Sequence, residues 1–309
     1  MEPIDRRLAA GWAIPPPVSS GTALLTHASG ITTTVGFHDT GDGRLFTAYH
    51  EPQHGAHGAV VVCPPILAEA IRSQRRDLAL SWELSDSGIA VMRFHYMGSG
   101  NSDGEPEQMT FDRLVADAVT VAGELRKRTG VADIAFAGTR LGALVAAAAA
   151  VEYPGAALAM WEPPLDMDRY YNEVFRARTI GLLKRGERAG STKEMMEAFA
   201  RNGVIDIVGN PLPYSLYETT IRLDLLDLLV AAESRHALIV QMSVKPQLRP
   251  ALIALVERAA AHGIHIETAA VAYDEAWWFG ASGYAFVEVE SGALDAIPIT
   301  TRFLAAATT

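Results

Sequence analysis

Gly138-Thr139-Arg140-Leu141-Gly142 is the stretch on which the reading of this chain turns. A short apolar run at 134–137 precedes it, and an Ala-rich segment with helical spacing follows at 141–152, so the five residues form a strand-to-helix bend. Such a bend brings backbone segments together, and side chains at 138 and 142 would collide with neighbouring elements, which is the physical reason for two glycines. Ala143, Ala146 and Ala147 then allow the helix to lie close on a sheet.

The same alternation recurs on both sides of the bend. Apolar runs at 59–63, 89–94, 157–161, 237–242 and 264–271 are interleaved with segments of helical periodicity at 72–86, 111–128 and 249–262. Repetition of strand then helix implies a mostly parallel sheet flanked by helices, and strands buried on both faces read as continuous apolar runs. Ahead of them, 31–35 and 45–49 read as short strands around the turn Gly41-Asp42-Gly43, an antiparallel hairpin leading into the sheet. Residues 1–30, which include Pro15-Pro16-Pro17, read as an irregular lead-in. Residues 165–233 break the rhythm with mostly helical, charge-rich sequence, too long for a simple connection and placed to cap one end of the sheet. The expected organisation is one domain over 1–309 with 165–233 as a helical cap insertion.

Composition bounds the function. With 309 residues, 49% of them hydrophobic and 20% charged, the chain is that of an ordinary globular protein with a substantial core. No run approaches the ~18 consecutive apolar residues of a membrane span, and the first residues lack the apolar segment of a secretory signal, so the expected location is the cytoplasm with no membrane partner. A net charge of −10 argues against sequence-independent nucleic-acid binding, which needs clustered Lys and Arg. The single cysteine, Cys63, excludes an internal disulfide and leaves too few thiolates for a zinc site. No metal and no cofactor is expected.

The bend has the context of a Gly-x-Ser-x-Gly nucleophile elbow, with Arg140 in the serine's place. Upstream, Phe94-His95-Tyr96-Met97-Gly98-Ser99-Gly100-Asn101-Ser102-Asp103-Gly104 resembles the Asp-x-x-Gly-x-Gly-x-Ser loop after strand four of the α/β-hydrolases, His95 standing for the usual Asp. Cys63-Pro64-Pro65-Ile66 resembles the end of strand three and the start of the oxyanion loop. Together with Trp161-Glu162-Pro163, the cap segment 204–213 and Trp277-Trp278-Phe279, these residues resemble the exosortase A system-associated hydrolase type 2 group, catalogued among serine-aminopeptidase-like α/β-hydrolases. That resemblance implies the α/β-hydrolase fold. Because its members carry Arg at the elbow and are named hydrolases by fold, it implies no reaction.

The other triad positions differ as well. After the run at 237–242 come Ser243, Val244 and Lys245, none of which orients an imidazole as a carboxylate does. Past the last strand come Tyr273-Asp274-Glu275-Ala276-Trp277-Trp278, and no histidine follows His265. His262 and His265 fall at the start of that strand, on the order of 25 Å from its other end. Hydrolysis through an acyl-serine is not expected.

A guanidinium at the first turn of a helix faces the positive end of the dipole and calls for an anion. Either Arg140, with backbone N–H groups around Leu141 and Ile66, binds the carboxylate, phosphate or sulfate of a substrate or polarises its carbonyl, or it forms an internal salt bridge to Glu69, Glu162, Asp274 or Glu275. His95 serves as a general acid or base, or is held by loop backbone; a Cys63–His95 dyad is weighed against a small buried thiol. Asp274 and Glu275 act as bases near Arg140 or as solubilising loop acids. Trp277, with Trp278 and Phe279, is a substrate platform or a core contact. The basic run Arg72-Ser73-Gln74-Arg75-Arg76 reads as a solvated helix face, against contact with the phosphopantetheine of an acyl carrier. The candidate catalytic set is therefore Arg140, His95, Asp274 and Glu275, with Ile66, Glu69, Leu141, Glu162 and Trp277 as substrate contacts.

Two functional readings follow. One is an unconventional enzyme of biosynthetic metabolism acting on a small anionic or acyl/carbonyl substrate; the other is a catalytically inactive pseudo-hydrolase that binds a ligand or serves as a scaffold subunit. An acyl carrier, a partner hydrolase and a second copy of the chain are the protein partners considered. An open pocket at the elbow separates the first from the second, which requires Arg140 locked to an internal carboxylate.

Overall fold

In the computed structural model, which describes residues 23–26, 30–272 and 291–308, the leading hairpin pairs β2 (Thr32–Asp39) with β3 (Arg44–Glu51) in antiparallel register, from Thr32 opposite Glu51 to Asp39 opposite Arg44. A further strand, β1 (Ala23–Thr26), adds to its outer edge. The apolar runs become β4 (Gly58–Cys63), β5 (Ile89–Phe94), β6 (Ile134–Thr139) and β7 (Leu158–Trp161), with β4, β6 and β7 buried along their whole length. Between them run α1 (Leu67–Asp86), α2 (Phe111–Thr129) and α3 (Leu141–Ala149). Thr110 caps α2 by accepting from the Arg113 N–H, and Gly130, in the left-handed region at φ 71°, ends it beside Arg126, Lys127 and Arg128, the basic residues a helix C-terminus favours.

The segment at 165–233, expected as a helical cap, is not helical throughout. It holds α4 (Met167–Lys184) and α5 (Thr192–Asn202), then an antiparallel hairpin of β8 (Val204–Ile207) and β9 (Asn210–Pro213), then α6 (Tyr214–Thr220) and α7 (Leu225–Ala231). The last of these, α7, packs on α3 at the flank of the sheet. The chain then returns through β10 (His236–Ser243), α8 (Pro250–Ala260), β11 (His265–Ala272) and α9 (Ser291–Ala307).

Among the described residues the main sheet has nine strands in the order β1-β2-β3-β5-β4-β6-β7-β10-β11. The strands from β5 to β11 along that order are parallel. Alternation of side chains splits the core between the two faces: Val60, Val62 and Val91 pack with Ala79, Leu80 and Leu84 of α1 and Ile297 and Leu304 of α9, while Val61, Met92 and Phe136 pack with Leu114 and Val121 of α2 and Leu144 of α3. From β4 the chain passes through α1 to β5 on one side, then through α2 back across to β6 on the other. That reversal opens a crevice at the carboxyl ends of β4 and β6, where ligand sites of such sheets form. The residue that follows β6 there is Arg140.

Asp117 of α2 ties the segment after β5 to the helix layer, accepting from the Met97 N–H at 2.7 Å and from Arg113 Nε at 3.1 Å. Burial dominates its environment and pushes its carboxyl up from 3.8 to about 6. Between those values the folded state holds a proton that the unfolded chain has released, so stability falls as pH rises through this window, by ~3 kcal/mol from this residue. Burial raises Glu69 and Asp77 in the same direction. Asp117→Asn is therefore expected to reduce, without abolishing, the downward slope of unfolding free energy between pH 4 and 6 in urea titrations. A slope equal to that of the unsubstituted protein would contradict this assignment.

Candidate site at the strand-to-helix bend

The two glycines of the bend are required by contact. A Cβ at Gly138 would lie 2.4 Å from the Gly142 carbonyl oxygen, and one at Gly142 would lie 2.4 Å from the carbonyl oxygens of both Cys63 and Pro64. Between them Arg140 adopts φ 53°, ψ −126°, a region that costs a side-chain-bearing residue about 1–3 kcal/mol and persists only where its surroundings enforce it. The Arg140 N–H donates to the Trp161 carbonyl at 2.9 Å, and its own carbonyl accepts from Ala143 N–H at 2.9 Å, so both flanks of the bend are fixed.

Arg140 is 5% exposed. Its Nε donates to Glu69 Oε1 of α1 at 3.2 Å and its Nη2 to Glu173 Oε2 of α4 at 3.0 Å. The guanidinium carbon stands 4.9 Å from the centre of the Tyr170 ring, a cation–π distance. Burial works against the cation, but Glu69, Tyr170 and Glu173 outweigh it and hold the guanidinium above its ordinary pKa. For Glu69 the balance goes the other way: desolvation raises its carboxyl more than Arg140 lowers it. The anion that the helix N-terminus calls for is thus supplied from within the chain, by one carboxylate of the α1 flank and one of the cap.

The remaining candidates do not gather around Arg140. Glu162 is 3% exposed and forms a two-pronged ion pair with Arg249, both Nη–Oε distances being 2.9 Å, while also accepting from the Met242 N–H. It therefore joins the end of β7 to the end of β10 and the start of α8 instead of reaching the elbow. His95 accepts from the Asn101 N–H through Nδ1 at 3.0 Å and lies 4.9 Å, centre to centre, from the Phe46 ring. Its partners are on its own loop and on β3. Burial holds His95 below the usual imidazole range. Cys63 is fully buried, and burial drives its thiol far above the ordinary value, so the Cys63–His95 dyad has no accessible thiolate. Ile66 and Leu141 are buried as N-terminal neighbours of α1 and α3. Ser243 donates to the Lys245 carbonyl at 2.5 Å. His265 opens β11 beside His236, their rings 5.9 Å apart, at the amino end of the strands. Asp274, Glu275 and Trp277 lie outside the described residues.

The basic run at 72–76 is corrected in part. Since α1 begins at Leu67, five residues before the helical segment read from the sequence, Arg76 falls on the same face as Ser73, Leu80 and Leu84 and is buried, its Nη2 donating to the Arg72 carbonyl at 3.2 Å. Arg75 is exposed, as a solvated face requires. The sequence reading missed Glu173 and Tyr170, which reach Arg140 from the cap. Their spacing on one face of α4 was visible, but nothing local says which way a cap helix docks.

Among the described residues no helix is long and apolar enough to cross a membrane, and no group of three or more His, Cys, Asp or Glu is placed to hold a metal ion.

The parallel sheet, the reversal at β4 and the bend after β6 define an α/β-hydrolase-fold protein. The family described as serine aminopeptidase, S33, matches residues 55–204, the part of the chain from β4 through α5. An uncharacterized protein of Mycobacterium tuberculosis is 32% identical over 151 residues, 48% of this chain, and the match spans about half of that relative's length (50%). Est1E from Butyrivibrio proteoclasticus, solved with bound ferulic acid, superposes with a TM-score of 0.58 at 16% identity over 87% of this chain and 96% of that one. A carboxylesterase structure from Nitrososphaera gargenis gives 0.53 at 14% identity over 88% and 98%. At these identities the likeness is one of fold.

Proposed function

We propose that this chain is a pseudo-hydrolase, a binding or scaffold protein in which the elbow has become a structural charge cluster. The observation that carries this reading is the burial of Arg140 between Glu69 and Glu173. A guanidinium forms no acyl intermediate, and an anionic substrate reaching it would have to displace two carboxylates already hydrogen-bonded to it. Glu173 is itself tied to Arg169 Nε at 3.3 Å, so the two acids and two guanidinium groups of the cluster balance one another and leave no excess positive charge to recruit a second anion. The pairing of Glu162 with Arg249 removes another polar group from the elbow. Ser243, which ends β10, and Lys245 beyond it supply no carboxylate to orient a base, and the sequence has no histidine beyond His265. An active hydrolase or an acyl carrier is the class of partner such a scaffold would serve.

The test is direct. Incubation with a fluorophosphonate probe, and with p-nitrophenyl esters and acyl thioesters, is expected to give no labelling and no hydrolysis above the buffer rate. Stoichiometric labelling, or turnover that disappears in Arg140→Met, would overturn the reading.

A further inference from the structure

Beside the first turns of α1, and sharing no lining residue with the elbow cluster, lies a cavity of about 260 Å³. Its floor is β3 at Phe46 and Ala48 and the carboxyl end of β5, its wall is α1, and its rim is the loop after β5. Phe46, Ala48, Val62, Pro65 and Ala70 give it an apolar lining, and Arg93 and Asp77 bring two opposite charges into it.

The two charges are held apart. Arg93 points to the same sheet face as Val91, and its Nε donates to His50 Nε2 at 3.1 Å. His50, fully buried, bonds Thr33 Oγ1 through Nδ1 at 2.9 Å, so its proton sits on Nδ1 and the ring stays neutral, a fixed acceptor that orients the guanidinium. Among the described residues neither terminal nitrogen of Arg93 donates to protein. Asp77 accepts from Ser73 Oγ at 2.9 Å through Oδ2, feels the buried Arg76 as well as Arg93, and among the described residues receives no hydrogen bond at Oδ1. Asp77 and Arg93 are near enough to act on each other electrostatically, yet no ion pair within 4.0 Å joins them. The cavity also receives His95, whose Nδ1 is occupied by the Asn101 N–H, so that the neutral ring presents Nε2–H as a further donor. Buried opposite charges that do not meet need something between them that accepts from one and donates to the other.

We propose that this cavity binds a small α-amino acid, its carboxylate on Arg93 and its ammonium group on Asp77, with a short apolar side chain against Phe46, Val62 and Pro65. Arg93 offers the paired donors that match a carboxylate, and the fixed His50 acceptor spares the ligand the cost of ordering it. The volume of about 260 Å³ accommodates an amino acid of the size of alanine or valine. This site is independent of the elbow cluster and does not require it to be inactive.

Isothermal titration and thermal-shift measurements on the full chain, with alanine and valine as zwitterions, isobutyrate as the carboxylate alone and isobutylamine as the amine alone, test the proposal. Valine or alanine is expected to bind at least tenfold more tightly than isobutyrate or isobutylamine. Arg93→Met and Asp77→Asn should each weaken it by tenfold or more. Because either substitution could disturb folding, Ala70→Leu, which fills the cavity from α1 and leaves Arg93 and Asp77 in place, should abolish binding in a protein whose circular dichroism spectrum is unchanged. Equal binding of isobutyrate and valine, with no effect of Asp77→Asn, would overturn the amino-acid assignment. The absence of binding by all four probes at 10 mM (roughly −2.7 kcal/mol on the affinity scale), or retained valine binding in Ala70→Leu, would overturn the site itself.

Discussion

Arg140→Met is expected to lower the unfolding free energy by about 3–5 kcal/mol, the loss seen when one partner of a buried ion pair is removed and the other stays. The charge left behind is Glu69, buried beside Tyr170 and already raised by desolvation with Arg140 in place. Without the guanidinium its carboxyl rises further. The loss therefore has a pH signature: Glu69 then takes up a proton on folding, so the variant loses stability relative to the parent as pH rises from about 4.3, the unfolded value, through the raised folded value. Urea titrations at pH 5 and pH 7.5 measure it directly, with the larger deficit at pH 7.5. A second change, Glu69→Gln in the same chain, removes the orphaned charge and is expected to restore about half of the deficit, since a buried pair replaced as a whole costs far less than a pair broken in half. Deficits below about 1 kcal/mol for Arg140→Met, the size typical of exposed pairs, would mean that the cluster does not hold the cap to the sheet, and the structural reading of the elbow would fall with it.

Gly142→Ala is the second large effect. The added methyl would lie 2.4 Å from two backbone carbonyl oxygens, those of Cys63 and Pro64, and backbone cannot swing aside as a flexible side chain does. Either α3 or the segment between β4 and α1 must move, at a cost of roughly 3 kcal/mol or more. Gly123→Ala in the middle of α2 is the matched control: a Cβ there meets nothing within 4 Å, and alanine is the better helix former by ~1 kcal/mol. The two substitutions should move the midpoint of thermal unfolding in opposite directions. A neutral Gly142→Ala would refute the close contact between the bend and the strand beside it.

The parts of the fold legible in the sequence are those whose cause is local. Continuous apolar runs announced β4, β6 and β10 because both faces of those strands are buried, and Gly138 and Gly142 announced the bend because only glycine fits against the carbonyls packed on it. Elements whose cause is a distant partner were not legible. Ala23–Thr26 is four residues in a Thr-rich context and becomes a strand by pairing with β2. The Val204–Ile207 and Asn210–Pro213 hairpin lies inside an otherwise helical stretch. α9 carries Pro298 in its interior and gains its place by packing on α1.

The same division holds at the site. That Arg140 must meet an anion followed from its position at a helix start, and Glu69 was among the carboxylates considered, but Glu162 was drawn instead to Arg249, 87 residues further on, and Glu173 came from the cap. Which of several acids pairs with one base is settled by how helices dock, a tertiary fact with no short-range signature.

The backbone at residue 140 carries one further consequence. Its conformation is the high-energy one by which a reactive hydroxyl is held out toward solvent, and here it persists with a guanidinium folded under a lid of tyrosine and two acids. The tension at that apex is therefore a requirement of routing a chain out of a tightly packed layer and straight into a helix. In proteins of this architecture, a strained apex read from coordinates is evidence of lineage, and chemistry has to be inferred from the side chain it carries.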